Sequence, residues 1–202
     1  MQASVQQSDL NKALDTLRAG GLILYPTDTI WGIGCDATNE EAVNKVYRLK
    51  GRAMGKSLIV LLESDSKLQS YVREVPDLAY QLIEYAERPL TIVYSGARNL
   101  APNLIAEDGS VGIRIVDHPF CTALLQRFRR PIVSTSANLS GHPAPRNFGE
   151  VAQDVRGGVD YIVQYGQDDL REGQASIVMK LEADGRFSFI RKQRAPDIAH
   201  YY

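Results

Sequence analysis

Cysteine and histidine are scarce in this 202-residue chain, and their scarcity removes several kinds of protein at once. The two cysteines, Cys35 and Cys121, are far apart and form no CxxC, so neither a disulfide framework nor a zinc knuckle can be built from them. Three histidines (His118, His142, His200) without metal-ligand spacing give no cage for a metal ion. An excess of either charge is also missing. Lys plus Arg is 23 and Asp plus Glu is 24, which excludes a globally basic nucleic-acid binder while leaving room for a local basic patch. Apolar runs such as Leu22 to Tyr25 and Leu58 to Leu62 are far too short to cross a bilayer. The polar start, Met1 to Leu10, has no signal-peptide pattern, and a reducing cytoplasmic address with no membrane contact is the expectation.

What is present is the composition of an ordinary folded domain, 44% hydrophobic and 23% charged. Leu10, Ala13, Leu14 and Leu17 recur at helical spacing before Gly20-Gly21, and Leu22 to Tyr25 reads as a buried strand stopped by Pro26. Asn39 is placed to cap a helix with Glu40 and Glu41 in its first turn. Its apolar face is Ala42, Val43, Val46 and Leu49, so Lys45, Arg48 and Lys50 are expected to point elsewhere. Ser57 to Leu62, Thr91 to Tyr94, Val111 to Val116 and Ile132 to Ser134 read as strands, as do Tyr161 to Val163, Ile177 to Leu181 and Phe187 to Arg191. Leu68 to Val72, Leu78 to Ala86, Phe120 to Phe128 and Phe148 to Val155 read as helices. Alternation of this kind predicts an α/β (α+β) fold with a mixed sheet, and no linker or repeat marks a boundary. The expectation is a single domain over 1–202, with its core from about 10 to 191.

Four places concentrate chemistry. Gly51 to Ser57 resembles a phosphate-binding P-loop but is one residue too short, and a helix precedes it where a strand should. It still gathers Arg48, Lys50, Arg52 and Lys56 among glycines, either as a solvated charged face or as cations converging on a polyphosphate. Tyr25 to Gly32 follows a buried strand. Thr27 and Thr29 can bind a small polar ligand there, with Asp28 orienting them or holding a metal-associated water, or all three can simply satisfy a turn. Ser134 to Gly141 is a dense run of hydroxyl and amide groups suited to a carboxylate, phosphate or ribose, or a polar cap. A Ser/His/Asp hydrolase has no G-x-S-x-G elbow to rest on. Arg114 stands alone in an apolar strand, as a surface residue or as a bidentate clamp for a carboxylate, and Arg191 raises the same question.

Together these segments resemble the YrdC/Sua5 family of L-threonylcarbamoyladenylate synthases. The resemblance rests on PTDTIWG at 26–32, KGRAMGKSLIVLL at 50–62, RPLTIVY at 88–94, GSVGIRIVDHP at 109–119, STSANLSG at 134–141, SIVMKL at 176–181 and IR at 190–191. It implies a single domain with a twisted mixed sheet flanked by helices around a large, positively lined cavity. It also implies the reaction of ATP, L-threonine and bicarbonate to threonylcarbamoyl-AMP and pyrophosphate. That product would serve threonylcarbamoyl-adenosine formation at position 37 of tRNA through downstream transfer proteins. By resemblance Lys50 and Arg52 are catalytic, and Thr29, Arg114, Ser136 and Ser176 hold threonine. Lys50, Arg52, Lys56, Ser110, Asn138 and Arg191 serve the nucleotide, and Mg2+ enters with ATP and needs no protein metal site.

The chain departs from the family pattern at Trp31, Ser57, Val116, Leu61 or Leu62, Ala144, Arg146, Ile177 and Lys192-Gln193. Arg146 can supply a compensating charge. The alternative is a YciO-like paralogue that binds nucleotide or structured RNA, such as tRNA or double-stranded RNA, with weak or different activity.

Overall fold

The computed structural model describes residues 5–53 and 58–192. Lys56 and Ser57, and the segment from Ala195 to Tyr202, lie outside the described residues. Among the described residues nine strands form one mixed sheet in the order β7-β1-β2-β6-β3-β5-β4-β8-β9. They are β1 (Ile23–Tyr25), β2 (Gly32–Gly34), β3 (Ile59–Leu62), β4 (Leu90–Tyr94), β5 (Val111–Ile115), β6 (Ile132–Ser136), β7 (Tyr161–Ile162), β8 (Ile177–Leu181) and β9 (Phe187–Arg191). The helices are α1 (Gln7–Arg18), α2 (Glu40–Lys50), α3 (Leu68–Tyr71), α4 (Asp77–Glu84), α5 (Pro119–Phe128) and α6 (Gln153–Gly157).

Each strand divides its side chains between the two faces of the sheet, because successive Cβ atoms point to opposite sides. Leu24, Ile33, Val60, Leu62, Ile92, Ile113 and Val133 join one core, which α2 completes through Ala42, Val43 and Val46. On the other face, Leu10, Leu14 and Leu17 of α1 and Phe120, Leu124 and Phe128 of α5 cover Ile23, Tyr25, Leu61 and Ile132. The rest of that second face, over β6, β3, β5, β4 and β8, carries the polar residues of interest.

Two elements differ from expectation. β2, a strand of Gly32, Ile33 and Gly34, lies where no strand is expected from the sequence. The glycines are needed for space, since a Cβ on Gly34 would meet the Tyr25 ring at 2.6 Å and the Val133 carbonyl at 2.8 Å. The helix read over Phe148 to Val155 is broken into a 3-10 turn (Phe148–Glu150) and α6.

A crossover of residues 163–176 carries the chain from β7 at one edge of the sheet to β8, beside the far edge. Its beginning is fastened by Asp9, a buried carboxylate on α1 that accepts from the Gln164 and Tyr165 backbone amides at 2.9–3.1 Å and from the Tyr161 hydroxyl at 2.6 Å. This crossover is the roof of the site.

Candidate active site

The register of the sheet assembles the pocket floor. Arg114 on β5 lies opposite Leu61 on β3 and Thr91 on β4; Thr91 lies opposite Val178 on β8, and Val178 opposite Arg191 on β9. In the neighbouring row, Ile59 stands between Ser134 and Gly112, and Ser136 faces Gly32 across β6 and β2. Arg191 reaches this face only because the β8–β9 ladder slips between Val178 and Met179. Without the extra residue, Arg191 would share the face of Phe187 and Phe189. A bulge re-aims a side chain in just this way.

A pocket of about 160 Å3 results, lined by Thr29, Ile30, Gly32, Arg52, Ile59, Arg114, Ser134, Thr135, Ser136, Ala175, Ser176 and Arg191. It brings together six of the ten residues assigned by resemblance: Thr29, Arg52, Arg114, Ser136, Ser176 and Arg191. Arg114 is 2% exposed, and its Nε and Nη2 atoms are buried without a hydrogen-bond partner. It pairs with the carboxylate of Asp28, Nη2 to Oδ1 at 3.2 Å. Ser176 is buried, its hydroxyl 2.8 Å from that of Thr91, and its carbonyl accepts from Arg191 Nε and Nη2 at 3.1 and 3.0 Å. Burial, with the like charge of Arg114 second, pulls the Arg191 pKa below its ordinary value. Two guanidiniums held this close leave a region of positive potential that an anion would relieve.

Thr27 and Thr29 form a hydroxyl pair at 2.8 Å. Thr27 donates its one proton to the Ile30 carbonyl at 2.8 Å, so Thr29 must be the donor between them. The free lone pairs of Thr29 are then available to accept from a ligand.

Lys50 requires a correction. It does not point away from the core but continues the buried stripe of Val43, Val46 and Tyr47, and is 2% exposed. Seven residues from Val43 is two helical turns, which returns Lys50 to the same face. Its Nζ donates to the Ser136 and Asn138 carbonyls at 2.5 and 2.6 Å, and its own carbonyl accepts from Ser140 N at 2.8 Å. Burial, then the nearby Arg52, lowers its pKa from 10.5 to about 8. Lys50 thus fastens the STSAN segment beside the pocket. Asn138 donates to the Leu139 and His142 carbonyls and keeps its buried Oδ1 free to accept. Ser110 is not among the pocket residues: it precedes β5, and its hydroxyl donates to Asp108 at 2.5 Å.

Beyond Thr29 and Ile30, which line both spaces, a cleft of about 930 Å3 opens beneath the crossover. Arg88, Arg146 and Arg171 line it, but so do Asp28, Asp117, Asp168, Asp169 and Glu172, together with His118 and Tyr165. The outer cleft therefore carries both signs, and the inner pocket alone is cationic. Arg146 is no free compensating charge, because it pairs with Glu150 at 2.5 Å and Glu172 at 2.7 Å. That clasp ties the crossover to the 141–150 loop, helped by Gly173 N donating to the Arg146 carbonyl at 2.9 Å. His118 stacks edge-on against Tyr165, and burial lowers its pKa against the upward pull of Asp28, Asp117 and Asp169. The sequence reading passed over Asp9 and the pairing of Asp28 with Arg114. A carboxylate beside an apolar helical stripe was the available signal for Asp9. For the Asp28 pairing no local signal exists, since 86 residues separate the partners.

A mixed sheet that buries arginines and hydroxyls under a crossover defines an α/β protein built to receive small anions. Comparison with known proteins narrows this class. Residues 15–193 match the family model Sua5_yciO_yrdC, described as telomere recombination, and the chain belongs to that family. A Stenotrophomonas maltophilia protein named threonylcarbamoyl-AMP synthase is 36% identical over 151 residues, covering 73% of this chain and 81% of that protein. A Photobacterium profundum protein of the same name is 33% identical over 172 residues, covering 84% and 92%. Among solved structures, Pyrococcus abyssi Sua5 complexed with L-threonine superposes with a TM-score of 0.80 at 28% identity, covering 90% of this chain and 53% of that one.

Proposed function

We propose that this chain is a threonylcarbamoyl-AMP synthase, an enzyme that joins L-threonine, bicarbonate and ATP with release of pyrophosphate and of the water lost when the amine takes up bicarbonate. The observation that carries the reading is Arg114, a buried guanidinium with two adjacent donors unpartnered in a pocket that also holds Ser176 and Arg191. A planar carboxylate accepting two parallel N–H bonds is the group such an edge is shaped for. The relatives' name and the threonine complex of the Pyrococcus abyssi protein agree with it.

Threonine's carboxylate lies on Arg114, supported by Ser176, with Thr29 and Ser136 offering acceptors to its amine and hydroxyl. Once carboxylated, the amine presents a carbamate that attacks the α-phosphorus of ATP as pyrophosphate leaves. No protein nucleophile takes part. The enzyme's task is to hold two anions in line and neutralise the charge between them, through Arg52 and Arg191 with Lys50 setting the loop geometry. Asn138 Oδ1 accepts from the nucleotide. Lys56, assigned to the phosphates by resemblance, lies outside the described residues, and Ser110 lies outside the inner pocket with its hydroxyl donating to Asp108.

The inner pocket presents arginines and hydroxyls and no carboxylate among its described lining, so it does not fit a protein-held Mg2+. Magnesium belongs on the ATP phosphates, coordinated there by phosphate oxygen and water. The product passes to proteins that transfer the threonylcarbamoyl group to tRNA, in the cytoplasm. No described helix is long and apolar enough to cross a membrane. A YciO-like nucleotide or RNA binder is not favoured, since the relatives carry the synthase name.

The test is pyrophosphate release from ATP and Mg2+ with threonine and bicarbonate omitted in turn. Release that needs both is expected; release needing neither, or ATP binding without turnover, overturns the reading.

A further inference from the structure

We infer that Asp28 recognises the α-ammonium group of the amino-acid substrate, so that the pocket selects a zwitterion over a simple carboxylate; this rests on the threonine reading of the pocket. The Asp28 and Arg114 side chains are 9% and 3% exposed. Their contact at 3.2 Å is a pairing of charge without a hydrogen bond, for neither Asp28 Oδ1 nor Arg114 Nη2 has a hydrogen-bond partner, and Arg114 Nε has none either. Asp28 Oδ2 makes only a long contact with Asp117 N at 3.4 Å.

Buried polar groups are nearly always paired, so an unfilled edge of donors directly beside an unfilled acceptor calls for an explanation. A structural salt bridge would satisfy both partners by rotating them into line; here they neutralise one another and leave their hydrogen bonds open. An α-amino acid carries a carboxylate and an ammonium on one carbon, and is the complement of that arrangement. Its carboxylate takes the Arg114 edge, and its ammonium donates to Asp28 Oδ1 and to the free lone pairs of the adjacent Thr29 hydroxyl. Asp28 borders the outer cleft and Arg114 the inner pocket, while Thr29 lines both. The amine is thereby placed at the junction of the two spaces.

The charge of Asp28 makes two opposite demands, and these define the test. It attracts an ammonium and repels a lone carboxylate. Affinities are measured calorimetrically for L-threonine and for (R)-3-hydroxybutyrate, which is threonine without its amine, on wild type and on Asp28→Asn. The expected result is a loss of about tenfold or more for threonine in D28N, with (R)-3-hydroxybutyrate bound as well or better. Equal weakening of both ligands would mean that Asp28 only holds Arg114 and would overturn the inference, as would unchanged threonine affinity. Should D28N fail to fold, wild type carries the test, where equal affinity for the two ligands is the overturning result. Wild type that binds neither ligand removes the threonine reading itself.

Discussion

Replacing Lys50 with methionine separates the two things this residue does. Its ammonium makes two hydrogen bonds to backbone carbonyls, at 2.5 and 2.6 Å, and a charged donor contributes roughly 1.5–3 kcal/mol to each. Against this stands burial. A pKa brought from 10.5 to about 8 means that holding the charge in place costs about 3 kcal/mol. The two nearly offset, so Lys50→Met, similar in length and free of charge, should lose only about 0–3 kcal/mol of stability. In a domain of this size each kcal/mol is worth about 2–4 °C in Tm. Activity should fall far more, because the Ser136 and Asn138 carbonyls lose the donor that fixes them and the pocket loses a cation beside Arg52. Urea unfolding measures the first quantity and threonine-dependent pyrophosphate release the second. A loss beyond about 5 kcal/mol would show that the burial cost has been overstated. Turnover near the wild-type rate in a folded Lys50→Met protein would remove Lys50 from the catalytic assignment.

Other consequences follow from the same geometry. Activity should decline as pH rises through about 8, where Lys50 gives up its proton. The stability contribution of this group runs the other way, since the unfolded chain keeps the proton to about 10.5; its cost to folding is complete below pH 8 and fades between 8 and 10.5. A pH profile of kcat beside urea midpoints checks both signs. Arg114→Lys keeps the charge and loses the two-donor edge, and should raise the threonine KM about 10–100-fold with the ATP KM nearly constant; an unchanged threonine KM would displace Arg114 from the carboxylate. Gly173→Ala would place a Cβ 2.0 Å from the Thr29 carbonyl, so the crossover must lift from the PTDT turn. The expected outcome is a several-fold higher threonine KM and about 1–3 kcal/mol lost in urea unfolding, and a wild-type KM would show that the crossover does not close the site.

Much of the site was legible because its residues cluster in short motifs. Ser136 ends and Ser176 immediately precedes a strand whose apolar run is visible locally, Thr29 sits in the PTDT turn just after β1, and Arg114 stands out as the one charge in β5. Lys50 was misread because its helix was taken to have a face ending at Leu49, whereas the two-turn spacing from Val43 carries the buried stripe one residue further. The glycine strand β2 was hidden because its composition reports the room left by Tyr25 and Val133, which lie elsewhere in sequence.

The sequence by itself determined the alternation of helices and strands, the family, and most of the residue types that the inner pocket gathers, because periodicity and motif spacing act over a few residues. Only the tertiary structure decided how those residues face one another. The slip between β8 and β9 turns Arg191 onto the site face, the crossover from β7 to β8 roofs it, and the β5 register brings Arg114 to Asp28. The physical reason is parity. A strand displaced by one residue presents its opposite side chains, and that displacement is set by contacts across the sheet that no local stretch of chain contains.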